Sequence, residues 1–135
     1  MLVGIPYTSV AQSWPFVAPL LNKAHVTGAG DYSFEDIYAG LLERKYQLWV
    51  WYQGENIVAA CVTCVAVYPQ RKICCLMMIG GKGLHFWKDE AQQIITAWAK
   101  EKGCTALEGY DTRSWLRVLK QFGWRAVWTT IRKEI

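Results

Sequence analysis

A short glycine-rich segment, Gly80-Gly-Lys-Gly83, stands between an apolar run and a helical pattern in the middle of the chain. The backbone N–H groups that open a helix have no partner within it, and the helix dipole makes that end positive. Such a turn can bind a phosphate group. The segment is therefore either a simple flexible turn between a strand and a helix or a phosphate site. The amides would come from Gly81, Lys82, Gly83 and Leu84.

Three side chains near this region have the chemistry of a general acid or base. His85 follows the glycines directly, and histidine titrates near neutral pH. Glu108 and Asp111 lie at or just beyond the end of a later predicted strand, where the sites of α/β proteins usually collect. Each also has an ordinary explanation as a surface, capping or solvated residue. Glu108 and His85 are the candidate catalytic residues.

The five cysteines cannot form a complete set of disulfides, because their number is odd. Cys61-Val-Thr-Cys64 has the spacing of half a metal site, but it lies inside a strand pattern. An offset of three residues on a strand places two side chains on opposite faces of the sheet. No second pair has matching spacing, so we predict reduced, buried cysteines and no metal site.

The glycine segment lies inside one predicted β-α-β unit. Ile73–Ile79 is an unbroken apolar run, which is typical of a strand buried on both faces. Apolar residues then recur at helical spacing until Gly103, which suits the left-handed residue that ends a helix. Cys104–Tyr110 is the next predicted strand, and the crossover should be right-handed.

The front half of the chain predicts two helices and an antiparallel meander. A short strand over Met1–Pro6 precedes a helix over Val10–Ala24, which Pro19 should interrupt. Ser33 and Asp36 have capping-box spacing at the start of a second helix. Two strands, over residues 48–52 and 57–68, then pair with the apolar strand.

The C-terminal quarter predicts one helix and one strand. Asp111 or Thr112 can cap the helix, and Gly123 ends it. Apolar and polar residues alternate over Trp124–Ile135, which predicts a single C-terminal strand. The predicted class is mixed α/β, in the order β-α-α-β-β-β-α-β-α-β, with an antiparallel front half and a parallel β-α-β crossover.

Composition restricts the class of protein. At 135 residues, with 53% hydrophobic and 19% charged residues, the chain should fold as one domain over residues 1–135. No apolar run approaches membrane-spanning length, and the first residues lack the charged start of a signal peptide, so we expect a cytoplasmic protein. From Thr112 onward six Lys or Arg residues stand against one Glu. Charge alone would favour nucleic-acid binding there, and it remains a minor alternative.

The order of elements, with a glycine turn after the fourth strand, resembles the GNAT (Gcn5-related N-acetyltransferase) fold. The resemblance implies that acyl-CoA lies between the fourth and fifth strands, with its pyrophosphate on the loop from Gly80 to Leu84. The chain departs from the family pattern in several places. Met78 stands where the family has Arg or Gln, Leu119 stands where it usually has a Tyr acid, and Ile73–Ile79 contains no carboxylate. Only one strand fits after the last helix.

The segment from Gly109 to Trp124 is similar to small GNAT-like proteins encoded among bacteriophage head and tail genes. Trp115, Arg117, Leu119 and Gly123 match their pattern in register, and Ser114 replaces a glycine. This resemblance, the missing catalytic residues and the eight tryptophans predict a non-catalytic structural or interaction protein of a phage virion. That interpretation implies no cofactor, virion or assembly proteins as partners, a possible homo-oligomer, and a place in the host cytoplasm or the virion. The alternative is an N-acetyltransferase that uses acetyl-CoA to modify a small amine or a protein amine.

Overall fold

The computed structural model describes residues 1–26, 30–110 and 115–135, without the side chains of residues 23–26, 84 and 115. These residues form five strands, four α-helices and short 3-10 turns at Tyr7–Ser9 and Lys120–Phe122. None of the helices described is long and apolar enough to cross a membrane. The strands and helices are β1 (Leu2–Ile5), α1 (Val10–Val26), α2 (Phe34–Leu42), β2 (Tyr46–Gln53), β3 (Asn56–Val67), β4 (Lys72–Gly81), α3 (Leu84–Glu101), β5 (Cys104–Gly109) and α4 (Trp115–Leu119).

The five strands form one sheet in the order β1-β2-β3-β4-β5. The first three pairings are antiparallel, and β4 pairs with β5 in parallel. A parallel pair needs a long crossover connection, which α3 supplies. The mixed α/β class, the antiparallel meander and the β-α-β unit are therefore confirmed.

The helices cover both faces of the sheet. Strand residues alternate between the faces, so Trp49 and Trp51 pack with α3 while Leu48 and Val50 pack with α1 and α2. Two apolar cores, one on each face of the sheet, pack against β4. They therefore position the C-terminal end of this strand, where the glycine turn begins.

Local signals at the helix ends behave as predicted in most places. Ser33 and Asp36 form a capping box, with the Asp36 carboxylate accepting a 2.8 Å bond from the Ser33 N–H. That bond also lowers the pKa of Asp36. Gly103 follows α3 with a left-handed φ of 84°. The predicted interruption of the first helix is wrong, because α1 runs continuously from Val10 to Val26 with Pro19 inside it.

The predicted C-terminal strand over Trp124–Ile135 does not form. Residues 124–135 have no regular structure, and residues 125–135 are exposed. Alternation is only a local preference, whereas a strand needs a neighbouring strand to bond with; within the described residues no strand pairs with this tail. An exposed two-bond ion pair fixes it instead, between Arg132 and Asp31, at 2.7 and 2.9 Å. The proposed caps of the last helix, Asp111 and Thr112, lie outside the described residues.

A buried hydrogen bond joins β2 and β3 in the core below α3. The Trp49 indole N–H donates to the Thr63 hydroxyl at 2.9 Å, and Thr63 is fully buried. Valine has nearly the same shape but no acceptor. We expect Thr63→Val to lower the free energy of unfolding by about 2 kcal/mol, because the indole N–H loses its partner. Urea denaturation followed by circular dichroism measures this.

Thr63→Ser is the matched control for that experiment. It retains the hydroxyl and removes one methyl group, so its cost should be about 1 kcal/mol. A valine variant at least as stable as the serine variant would show that the hydrogen bond contributes little.

Candidate functional site

The sheet opens between β4 and β5. The two strands pair from Lys72 beside Cys104 to Leu76 beside Gly109, and β5 ends there. β4 continues to Gly81, still paired with β3 on its other side. Its last five residues, Met77–Gly81, span about 16 Å. On the side of β4 away from β3, no described strand pairs with them. Their free edge lines a wedge-shaped cleft whose vertex is at Leu76 and Gly109.

A β-bulge lies at the vertex of this cleft. Thr63 pairs with Leu76 and Val62 pairs with Met78, so Met77 has no partner on β3. A bulge bends the strand and redirects the backbone groups beside it. The extra residue therefore falls where β4 and β5 separate. The side chains of Met77 and Met78 pack toward α1, not into the α3 side of the cleft.

An apolar cavity of about 50 Å³ lies on the α3 side of the cleft. Its lining includes Leu76, Ile79, Trp87, Leu107, Leu119 and Trp124. Gln92 brings an amide to this apolar surface. The Trp124 indole N–H donates to Gln92 Oε1 at 3.0 Å, and the buried Gln92 Nε2 has no acceptor among the described residues. Because an indole only donates, the amide oxygen must face it, and the Nε2 donor remains available.

The glycine turn joins the open end of β4 to α3. Gly83 is the N-cap, in a left-handed conformation with φ of 75°. The N–H groups of Gly83, Leu84 and His85 have no acceptor among the described residues, as expected for the first turn of a helix. No acidic residue lies in that turn. The helix end therefore presents free donors and positive potential at the mouth of the cleft.

Two further bonds hold this turn against its neighbours. The Lys82 N–H donates to the Val58 carbonyl at 3.0 Å, and the Trp87 indole N–H donates to the Lys82 carbonyl at 3.1 Å. The Lys82 amide, predicted to bind phosphate, is thus already used, and the residue retains only its exposed side chain for that purpose. Gly81 has φ of 118°, and a Cβ there would overlap the Val58 carbonyl oxygen. The turn requires glycine at this position.

The structure separates the two candidate catalytic residues. Glu108 pairs with Cys75, one position before the vertex, and is half-buried. His85 is exposed in the first turn of α3, with its ring 4.0 Å from that of Phe86. The free segment of β4 lies between them. Of the two candidate catalytic residues, Glu108 is therefore the residue beside the vertex. Asp111 lies outside the described residues.

Sequence reasoning missed one residue of this site. Gln92 meets the cavity from α3. It had no signal of its own, because a glutamine between apolar helix positions is ordinary.

Comparisons with known proteins place the fold. No family model matches the chain, and no curated protein matches it. Solved structures do match: a ribosomal-protein-alanine N-acetyltransferase of Brucella melitensis biovar Abortus 2308 aligns over 100% of this chain and 99% of its own, with a TM-score of 0.70 and 15% identity. A GNAT family acetyltransferase of Staphylococcus aureus aligns over 100% and 98%, with a TM-score of 0.63 and 10% identity. A predicted acetyltransferase of Clostridium acetobutylicum, solved with acetyl-CoA, aligns over 98% and 95%, with a TM-score of 0.63 and 11% identity.

These similarities show that the chain has the fold of the GNAT acetyltransferases. The predicted GNAT-like architecture is therefore confirmed. The similarity to bacteriophage proteins finds no support among these structures and stays a prediction.

Proposed function

We propose that this protein binds acetyl-CoA in the cleft between β4 and β5 and transfers the acetyl group to an amine. The observation that supports this most is a path of backbone groups along the cleft that have no partner among the described residues. It runs from the bulge at Met77, along the open edge of β4, to the free amides at the start of α3. The acetyl-CoA in the Clostridium acetobutylicum structure and the N-acetyltransferase from Brucella agree with this proposal.

The residues present fit such a ligand. The N–H groups of Gly83, Leu84 and His85 would bind its pyrophosphate, and the Lys82 ammonium would add charge. The open edge of Met77–Gly81 would pair with the amide groups of the pantetheine arm, as one strand pairs with another. The buried Gln92 Nε2, which has no acceptor among the described residues, gives a further donor for a carbonyl of that arm.

The acceptor amine would be deprotonated at the vertex. Acetyl-CoA supplies an activated thioester. The amine nitrogen would form the new bond to its carbonyl carbon as the carbon–sulfur bond breaks, and the CoA thiolate would leave and take a proton from solvent. Among the described residues, Glu108 is a carboxylate beside the vertex, so it would accept the proton that the amine loses. Leu119 lines the cavity and has no proton to give. Alignment of the amine with the thioester would therefore contribute a large share of the rate.

A non-catalytic interaction protein is the second candidate. The tail exposes large apolar side chains, which are Val127, Trp128, Ile131 and Ile135. Such residues favour a contact surface for another protein. Virion or assembly proteins as partners, and a place in a phage particle, are part of this second proposal. It predicts that acetyl-CoA does not bind.

Calorimetric titration with acetyl-CoA tests the first proposal. We expect micromolar binding by the wild-type protein. Gly83→Asp places a negative charge at the N-cap, where the pyrophosphate would lie. It should weaken binding at least about 100-fold, because like charges at close range cost several kcal/mol.

Gly83→Asn is the matched control. Asparagine tolerates the left-handed conformation, has the same size as aspartate and carries no charge. A Cβ at Gly83 meets only Phe86 Cδ2 at 3.5 Å and Trp87 Cδ1 at 4.0 Å, so both variants should fold. Equal loss of affinity in both variants would rule out a phosphate at this turn. No binding by the wild-type protein at millimolar acetyl-CoA would rule out the enzyme and leave the second candidate.

A further inference from the structure

Cys64 and Cys75 lie directly opposite each other on β3 and β4. Residues opposite each other in antiparallel strands have Cβ atoms about 4.5–5.5 Å apart, close to the separation found in disulfides. The two thiols are also hydrogen-bonded to each other. The two sulfur atoms are therefore already neighbours in the reduced protein.

The other three cysteines lie on the opposite face of the sheet, in the core against α3. They are Cys61, Cys74 and Cys104, all buried. Burial raises the pKa of the Cys61 thiol, and it raises that of Cys74 to about 12. A buried protonated thiol is a poor nucleophile, so the facing pair differs chemically from these two cysteines.

The hydrogen bond makes the two members of the pair unequal. Cys64 accepts the bond from Cys75, which lowers the pKa of Cys64 to about 7 and raises the pKa of Cys75. Glu108 on β5 also disfavours the charged form of Cys75, and Tyr46 and Tyr110 face the pair from β2 and from beyond β5. Cys64 is partly exposed, whereas Cys75 is buried. A reactive thiolate at Cys64 thus has a protonated thiol beside it.

We propose that Cys64 and Cys75 form a dithiol site that a hydroperoxide oxidises to a disulfide between β3 and β4. The Cys64 thiolate attacks one peroxide oxygen, so an S–O bond forms, the O–O bond breaks and the departing oxygen takes a proton. The Cys75 sulfur then attacks the Cys64 sulfur, forming the S–S bond as the S–O bond breaks and water leaves with the Cys75 proton. Two thiols lose two electrons, and the hydroperoxide is reduced to an alcohol, or water, plus water. This site does not depend on acetyl transfer.

Intact-mass spectrometry of the folded protein tests this site. The reduced protein is treated with a small excess of hydrogen peroxide, unfolded and alkylated. We expect three alkylated cysteines where the untreated protein has five, and a mass lower by two hydrogens before alkylation. Fragmentation of the linked peptide should place the bond between Cys64 and Cys75. The oxidation rate should rise with pH through about 7, as the Cys64 thiolate forms.

Two variants complete the test. Cys64→Ser should retain all its remaining thiols under the same treatment, whereas Cys61→Ala should form the disulfide as the wild type does. Circular dichroism confirms that each variant is folded. Fragmentation of the oxidised wild-type protein does not depend on any variant, so the site is testable even if a variant does not fold. Five free thiols after treatment, a disulfide between any other pair, or over-oxidation of Cys64 without a disulfide would each overturn the proposal.

Discussion

Replacing Gly80 by alanine is expected to lower the free energy of unfolding by about 3 kcal/mol or more. A Cβ at this position would overlap the carbonyl oxygen of Leu20, which belongs to the backbone of α1. A side chain can rotate away from such an overlap, whereas helix backbone can only move as a unit. α1 would therefore have to shift off β4. Urea denaturation followed by tryptophan fluorescence measures the loss.

Gly109→Ala is the control for this prediction. Gly109 is also a strand glycine, and a Cβ there would meet Leu76 Cβ at 3.8 Å and Trp124 Cζ3 at 4.0 Å, which are ordinary contacts. Alanine is better than glycine in a strand, so this variant should be as stable as the wild type or slightly more stable. Equal stability of the two variants would mean that α1 does not lie against β4 as closely as the structure shows.

Gly80 also shows that the glycines of one short segment can be required for two different physical reasons. The cluster of glycines predicts a turn that binds phosphate, and Gly83 does open α3 in a left-handed conformation. Gly80 has a different reason to be glycine, which is the close approach of α1. That approach joins residues about sixty positions apart. No local pattern distinguishes a glycine needed for a turn from one needed for packing.

The predicted elements that formed are those with local causes. The Ser33 capping box, the left-handed Gly103 and the apolar run of β4 each depend on residues within a few positions of one another. The predicted strand over residues 124–135 failed because pairing depends on a distant edge. The proposed resemblance to phage proteins depends on Gly109–Trp124, and residues 111–114 of that segment lie outside the described structure.

The bulge at Met77 could not be predicted at all. Ile73–Ile79 is apolar throughout, so it has no alternation that would mark a shift from one face to the other. The register against β3 decides where the extra residue falls, between Leu76 and Met78. The site therefore depends on a pairing between strands, whereas its glycine turn depends on local sequence. This difference explains why the turn was predicted and the cleft vertex was not.

Replacing Glu108 by glutamine should reduce kcat for acetyl transfer about 100-fold or more. The carboxylate lies one position from the cleft vertex, and glutamine fills the same space without accepting a proton. KM for acetyl-CoA should stay nearly constant, because Leu107 lines the cavity on the α3 side and the next residue of a strand, Glu108, faces the other side of the sheet. The rate should recover partly as pH rises, since the amine then loses its proton to solvent. Release of the CoA thiol, measured over a range of pH with a panel of amines, gives both constants.

Glu101→Gln is the matched control, because Glu101 is an exposed carboxylate at the far end of α3. It removes the same charge from the protein without touching the cleft, so its kcat should equal that of the wild type. Glu108→Asp should retain part of the activity, because a shorter carboxylate can still accept a proton through a water molecule. A Glu108→Gln variant with wild-type kcat at every pH would show that alignment of a neutral amine is sufficient. The free β4 edge and the amides of α3 would then be sufficient for catalysis, and Gly83→Asp would lower activity through weaker binding of acetyl-CoA.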